Sequence, residues 1–499
     1  MLEKLNLYFR LTQKHECVET RILAAETLAF MIELSAELQR IAAISNHLIP
    51  TIASFLWWEP DTPSMSELNS SLLPSQPSQR QIASTSSVVI TSRSSSPPIT
   101  SITSTLPHLS TSLALSASPF LHKPSNGDGL EQDSKSSGTS SGEMVSVSRV
   151  GDVPSGGISG LTKYQILQLT KKLDQRANYT RDMKKAAFRV FAALAANDED
   201  IRKRIIETEN LMECLVSSLD CGEGPSPHHA QAKLQMAAVQ TLHSLSRSVQ
   251  LLRTTFQDHP VWKPLMKILG SPASSCDFLV VASSTLCNLL LEFSPSKEPI
   301  LESGAIDLLC SLTHKYEPAL VLNGVWGLMN MAFQSDQRIK VQIITTLGSD
   351  QIFRLLADQD IQVVMKTLGL LRNLLSNKSQ IDHVMNLYGK QIMQAVVFIL
   401  EGDKVADVKE QALCILANIG DGDTAKTFIM SNEDVLKKIT NYMIHTNPKL
   451  QMAAVVCVHN LSYAEETGAG ERQVKLRDIG VYGILQQLLT TTDTALFDK

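Results

Sequence analysis

The stretch ILESGAIDLLCSLTHKYEPALVLNGVWGLMNMAF, Ile300 to Phe333, decides the fold. Ser303-Gly304 breaks the chain, and Ala305 to Leu312 then carries apolar residues at helical spacing. Glu317-Pro318 breaks it again, because the residue before a proline is pushed out of the helical region. Val321 to Phe333 follows as a long apolar helix with one buriable amide, Asn330. The unit is two helices after a turn, and it recurs along the chain.

Its last helix returns as Val281 to Glu292, Val321 to Phe333, Val364 to Ser376, Val408 to Gly420 and Leu450 to Ser462. One register of each holds an asparagine: Asn288, Asn330, Asn373, Asn418 and Asn460, at spacings of 42, 43, 45 and 42 residues. Arg21 to Glu33, Met183 to Ala195 and Leu234 to Ser246 fit the same frame without the asparagine. Two residues before it stand Leu286, Leu328, Leu371, Leu416 and Val458, and one residue after stand Leu289, Met331, Leu374, Ile419 and Leu461. At 100° per residue both positions lie away from the asparagine, so they are expected in the core while the amide looks out along one edge. The turn repeats too, with Gly304-Ala305-Ile306 echoed by Gly480-Val481. A two- or three-helix unit of about 40–47 residues belongs to the armadillo/HEAT class.

The Gly-Ala-Ile turn, the leucines of Ala305 to Leu312 and the asparagine of the last helix resemble armadillo repeats. Longer blocks resemble one branch of that family: Ala196 to Met212, His243 to Leu269, Leu279 to Cys310 and VMKTLGLLRNLL from Val364. The resemblance covers about residues 15–60 and 165–499. The fold expected is all-α, a right-handed superhelical solenoid of armadillo repeats with a disordered insertion.

Working outward, residues 1–58 read as armadillo-type repeat, beginning inside an array without the polar cap that a terminal repeat needs. The resemblance implies a further array upstream, so the chain is expected to be a shortened form. Residues 59–160 are rich in Ser, Thr, Pro and then Gly, a composition that favours disorder. The segment reads as a passive insertion, although Ser96-Pro97 and Ser118-Pro119 suit proline-directed phosphorylation. Residues 161–499 read as a continuous armadillo array, with surface loops at Cys221 to His229 and Thr467 to Gly470.

Composition is that of a soluble protein, 43% apolar and 19% charged with a net charge of −5, without the basic patch that nucleic acid requires. No secretory signal opens the chain, and no run of about 18 apolar residues could span a membrane. The cysteines form no CxxC pair, and Cys287, Cys310, Cys414 and Cys457 fall in apolar helices, so buried reduced thiols are expected. Phosphate-loop, HExxH and dinucleotide motifs are absent, and the one GxSxG match, Gly138 to Gly142, falls in the Ser- and Gly-rich segment outside any strand–helix turn pattern. His228-His229 with Cys214 and Cys221 match no zinc template, so no metal or cofactor is expected. Asn197 to Asp200 is the densest acidic cluster, placed to favour a helix N-terminus. His243 and His459 lie beside the asparagine register and read as rim or core histidines.

The asparagines have two readings. A ladder of side-chain amides matches the donor and acceptor of a peptide group and could hold an extended partner. Five rungs would span roughly 40 Å, about 12 extended residues. Alternatively the amides tie neighbouring repeats together. Trp326 and Asn330, four apart, share one face and resemble the Trp–Asn pairs with which importin-α holds its cargo. The equivalents elsewhere are Ser284, Gly369, Cys414 and Val456, so the aromatic slots are missing and importin-like binding is rejected. The groove rim carries Lys366, Arg372 and Lys409, which favour an acidic or aromatic partner.

The resemblance implies a non-catalytic adaptor subunit of the CTLH complex, counterpart of the yeast glucose-induced-degradation ubiquitin ligase. Its partners would be protein only: a substrate receptor, the LisH/CTLH scaffold and the RING subunits, in cytoplasm and nucleus, without nucleic acid, membrane or small-molecule substrate. Trp326, Asn330, Asn373, Asn418 and Asn460 would contact the receptor's tail, and Lys366, Arg372 and Lys409 its acidic groups. The competing class is a β-catenin-like or trafficking adaptor unrelated to ubiquitin.

Overall fold

The computed structural model of the protein describes residues 2–45, 47–60, 163–220, 229–490 and 493–497. The expectations for residues 61–160, including both Ser-Pro pairs, and for Cys221 and His228 lie outside these residues. Among the described residues every regular element is a helix.

Ala305–Leu312 and Pro318–Ala332 form where the quoted stretch places them. Gly304 stands before the first with φ 81°, a left-handed conformation that glycine adopts without a Cβ clash. Gly480 repeats it at φ 90° before Val481–Leu488, and Asn210 takes the same place at φ 54° before Leu211–Leu219. The second helix starts three residues earlier than the apolar pattern suggests. Glu317 is extended, with ψ 116°, and Pro318 therefore initiates the helix instead of only ending the turn.

The last helices of successive units are labelled α1 (Val18–Glu33), α2 (Lys163–Ala195), α3 (His229–Leu245), α4 (Cys276–Leu289), α5 (Pro318–Ala332), α6 (Ile361–Leu374), α7 (Ala406–Ile419) and α8 (Pro448–Ser462). From α3 to α8 each packs on the next, forming one layer of an armadillo solenoid. The residues two before and one after the asparagine are fully or almost fully buried, from Leu286 and Leu289 to Val458 and Leu461. Each such side chain contributes about 1.5–3 kcal/mol on leaving water, so this register carries the core.

The layer continues to α1. Glu26 pairs with Lys185 at 3.0 Å and Glu33 approaches Arg189 at 4.0 Å, steps of seven and four residues along two adjacent helices. Behind them, Gln39 donates to the Leu194 carbonyl at 2.6 Å and Arg204 to that of Ala43 at 2.6 Å. Residues some 155–161 apart in sequence are thus direct neighbours.

Two elements depart from the sequence pattern. α2 runs for 33 residues, not only from Met183, because no glycine or proline interrupts Lys163 to Ala195. Lys378–Glu401 is a single 24-residue helix spanning what elsewhere is divided into two. The loop read at Thr467 to Gly470 shortens as well: Gly468, at φ 74°, caps a helix that already begins at Ala469.

Candidate groove of the third-helix layer

The asparagines are positioned by a one-bond rule. Asn330 Nδ2 donates to the Cys287 carbonyl at 2.9 Å, Asn373 to Met329 at 2.9 Å, Asn418 to Arg372 at 3.3 Å and Asn460 to Ala417 at 2.9 Å. Each acceptor lies on the preceding third helix, one residue before its asparagine position. Asn288 makes the corresponding bond to Ser246 Oγ at 3.0 Å. In α3, Ser244 stands at the register and donates to the Ala192 carbonyl at 2.9 Å. The expectation that the amides look out along an edge is corrected here. Asn330 and Asn373 are buried, because the register faces the neighbouring helix and a helical carbonyl there accepts a further donor. At each rung the tie between repeats is present.

One helical turn earlier lies the line that faces the groove: Ser284, Trp326, Gly369, Cys414 and Val456. Trp326 is covered, with the Lys366 ammonium of the next unit 4.1 Å from the ring centroid. Burial pulls the Lys366 pKa below the ordinary lysine range, and the aromatic face lies against its ammonium. Trp326, read as a tail contact, and Lys366, read as a rim residue, are therefore one structural element. Met329 fills the next step, its sulfur 2.7 Å from where a Cβ on Gly369 would be.

Beyond Gly369 the groove opens. A cavity of about 480 Å³ lies over α7 and α8, lined by Arg372, Glu410, Cys414, Ala417, Asn418, Pro448, Lys449, Met452, Ala453 and Val456. Its floor is apolar and its rim holds two cations and one carboxylate. Arg372 is oriented by a 2.9 Å bond from Nη1 to Gln411 Oε1, and Lys449 lies 3.6 Å from Asp407. Burial raises the Cys414 thiol pKa, with Glu410 adding to it, so this sulfur is a small apolar surface and not a nucleophile.

Of the residues read from sequence, Arg372 and Asn418 line this cavity. Trp326 and Lys366 meet each other. Asn330, Asn373 and Asn460 brace the layer, and Lys409 stands half-buried one residue before Glu410 without lining the hollow. Lys449 and Met452 were not singled out. Their signal was present in the small residues at the tryptophan position, since Cys414 and Val456 leave the space that Trp326 fills elsewhere.

Nothing in the described residues has the form of a catalytic centre. No group of three metal-ligating side chains occurs among them. Asp198 caps Glu199–Ile206 by accepting from the Ile201 N–H at 3.1 Å, and Glu199 pairs with Arg202 at 3.0 Å, so the acidic cluster serves a helix N-terminus. Cys287 and Cys310 are buried, each pushed up to about 12 by burial. Cys457 is buried too and Cys414 partly so, while Cys17 and Cys276, outside the four cysteines placed in apolar helices, are exposed.

No family model matches the chain. It is 45% identical over its whole length to armadillo repeat-containing protein 8 of Xenopus laevis, of which it covers 60%. It is 28% identical, over 46% of its length, to GID complex subunit 5 of Schizosaccharomyces pombe, of which it covers 28%. The chain thus spans about three fifths of the first of these relatives. Among solved structures, an engineered protein from a structural-genomics programme superposes over the whole chain and 97% of its own, with a TM-score of 0.60 at 16% identity, a likeness of fold alone.

Proposed function

The chain is a relative of armadillo repeat-containing protein 8, and from that kinship we propose that it is a non-catalytic adaptor subunit of a CTLH-type ubiquitin ligase. Its groove holds the tail of a substrate receptor, and other surfaces meet the scaffold and RING subunits, in cytoplasm and nucleus. The similarity to a GID complex subunit supports membership in such an assembly.

The observation that carries the groove reading is the 480 Å³ cavity between α7 and α8. Its volume accepts one or two large side chains, and its apolar floor favours an aliphatic or aromatic one. Arg372 and Lys449 at the rim suit a carboxylate beside that anchor, with Glu410 disfavouring a second one close by. Trp326, its ring covered by Lys366, closes the groove two rungs before α7, and Lys409 adds positive charge along the path. The amides contribute by holding the third helices in register, which fixes the groove before a partner arrives.

The test is affinity purification with mass spectrometry of the whole chain beside Val456→Phe, which fills the cavity, and Arg372→Glu, which inverts its rim. We expect the wild type to recover RING and CTLH-motif subunits with a receptor, and each variant to lose the receptor alone. Recovery of no ligase subunit by the wild type overturns the adaptor reading. An unchanged receptor signal in Val456→Phe overturns the groove.

A further inference from the structure

A second hollow, of about 420 Å³, lies after α2 and α3, lined by Glu199, Arg247, Val249, Gln250, Arg253 and Thr254. Its charges do not balance. Glu199 is already engaged, accepting from Arg202 Nη1 at 3.0 Å and from the Ser248 hydroxyl. Arg247 donates through Nη1 to the Ala196 carbonyl at 2.7 Å, and Arg202 donates through Nη2 to the same oxygen at 3.0 Å. One neutral carbonyl therefore gathers two guanidiniums. Arg253 stacks on Phe293 of the next unit, with its central carbon 5.0 Å from the ring centroid. Stacking fixes the plane of that guanidinium and leaves its N–H edge open.

Arg247 and Arg253 thus face the hollow with no carboxylate of their own among the described residues. His243, beside Arg247, does not add to the charge: burial and the neighbouring guanidinium hold its pKa at about 4, so it is neutral near pH 7. Two guanidiniums answer a charge of nearly −2, which a phosphomonoester carries and a single carboxylate does not. Guanidinium also matches phosphate oxygens in paired N–H···O bonds. Gln250 and Thr254 add neutral polar groups to the walls.

We propose that this hollow binds a phosphorylated serine or threonine side chain of a protein partner, through Arg247 and Arg253. The site is separate from the groove over α7 and α8 and does not depend on the receptor reading.

The test uses the whole purified chain and a fluorescein-labelled peptide, Gly-Gly-phosphoserine-Gly-Gly, beside its serine and aspartate versions, read by anisotropy near physiological salt. We expect the phosphopeptide to bind roughly tenfold more tightly than either other peptide. Arg253→Gln, at an exposed position, should weaken it by a similar factor with an unchanged melting curve, while Lys437→Gln, a distant exposed lysine, should not. Equal binding of the serine peptide overturns the proposal, as does an unchanged affinity in Arg253→Gln. Binding to phosphoinositide vesicles with no response to the peptide overturns the protein partner.

Discussion

At the residue scale, the asparagine ladder shows how one amide serves a stack. Asn373 is buried, and its bond to the Met329 carbonyl crosses from one unit to the next. Removing a buried hydrogen-bonding partner costs about 1–3 kcal/mol. Asn373→Ala should therefore lower the urea midpoint by that equivalent, and an unchanged midpoint would falsify the bracing role. Partner binding is better probed at Arg372 or Val456, where substitution leaves the inter-repeat amide bonds intact. His243 supplies a pH dependence of stability. Its Nδ1 is buried without a hydrogen-bond partner, and its folded pKa lies at about 4, below the ordinary 6.5. Between those values the unfolded chain binds one more proton than the folded one, so stability falls as pH drops from about 6.5 to about 4. His243→Gln should flatten this slope in denaturation series across that range, and a slope identical to wild type would sink the assignment.

At the scale of elements, helix crossings are set by the smallest residues. A Cβ on Gly324 of α5 would lie 2.8 Å from the Leu309 carbonyl oxygen, 3.0 Å from Thr313 Cγ2 and 3.1 Å from Leu312 Cβ. The helix Ala305–Leu312 thus rests almost directly on the backbone of α5. Alanine gains up to ~1 kcal/mol in helix propensity over glycine. Forcing a methyl group against a fixed carbonyl costs ~1–3 kcal/mol, which wins. Gly324→Ala should lower the melting temperature. Gly483, also helical but with nothing within 4 Å, is the counterpart where the same change should raise it. A stabilised Gly324→Ala would show that the crossing is looser than drawn. The same logic holds at Gly389, midway along Lys378–Glu401: a Cβ there would lie 2.7 Å from the Phe428 ring, so the glycine makes room for that ring inside an unbroken helix.

At the scale of the whole array, ionic ties reach across successive units. Glu466 lies between Lys378 at 2.9 Å, Arg472 at 3.4 Å and the fully buried Lys426, and Lys378 also meets Asp423 at 2.7 Å. Burial pulls the Lys426 pKa down, and its carboxylate partner keeps that charge tolerable. Breaking a buried pair strands an uncompensated charge, at a cost of about 3–5 kcal/mol. Glu466→Gln should therefore destabilise strongly, and because a solenoid is held by nearest-neighbour interfaces, hydrogen exchange should quicken first in Lys378 to Asp478. Uniform quickening out to α1 would contradict that one-dimensional view.

The sequence by itself determined the period, the core register and the turn positions. Those depend on which residues recur at 3.6 and at about 42 places, and on where only Gly, Asn or Pro fits, all of it local in the chain. Leu328, Leu371 and Leu416 are buried as their spacing requires, and Gly304 and Gly480 turn as their identity requires. The sequence also named Trp326, Lys366, Arg372 and Asn418 without saying which of them meet. Only the tertiary structure decided that Lys366 covers Trp326, that Asn330 reaches the Cys287 carbonyl, and that the groove is hollow at Cys414 and Val456. The reason is physical: these relations lie between helices some 40 residues apart. Their distance and stagger follow from how every side chain of the intervening unit packs, and no single stretch of sequence carries that sum.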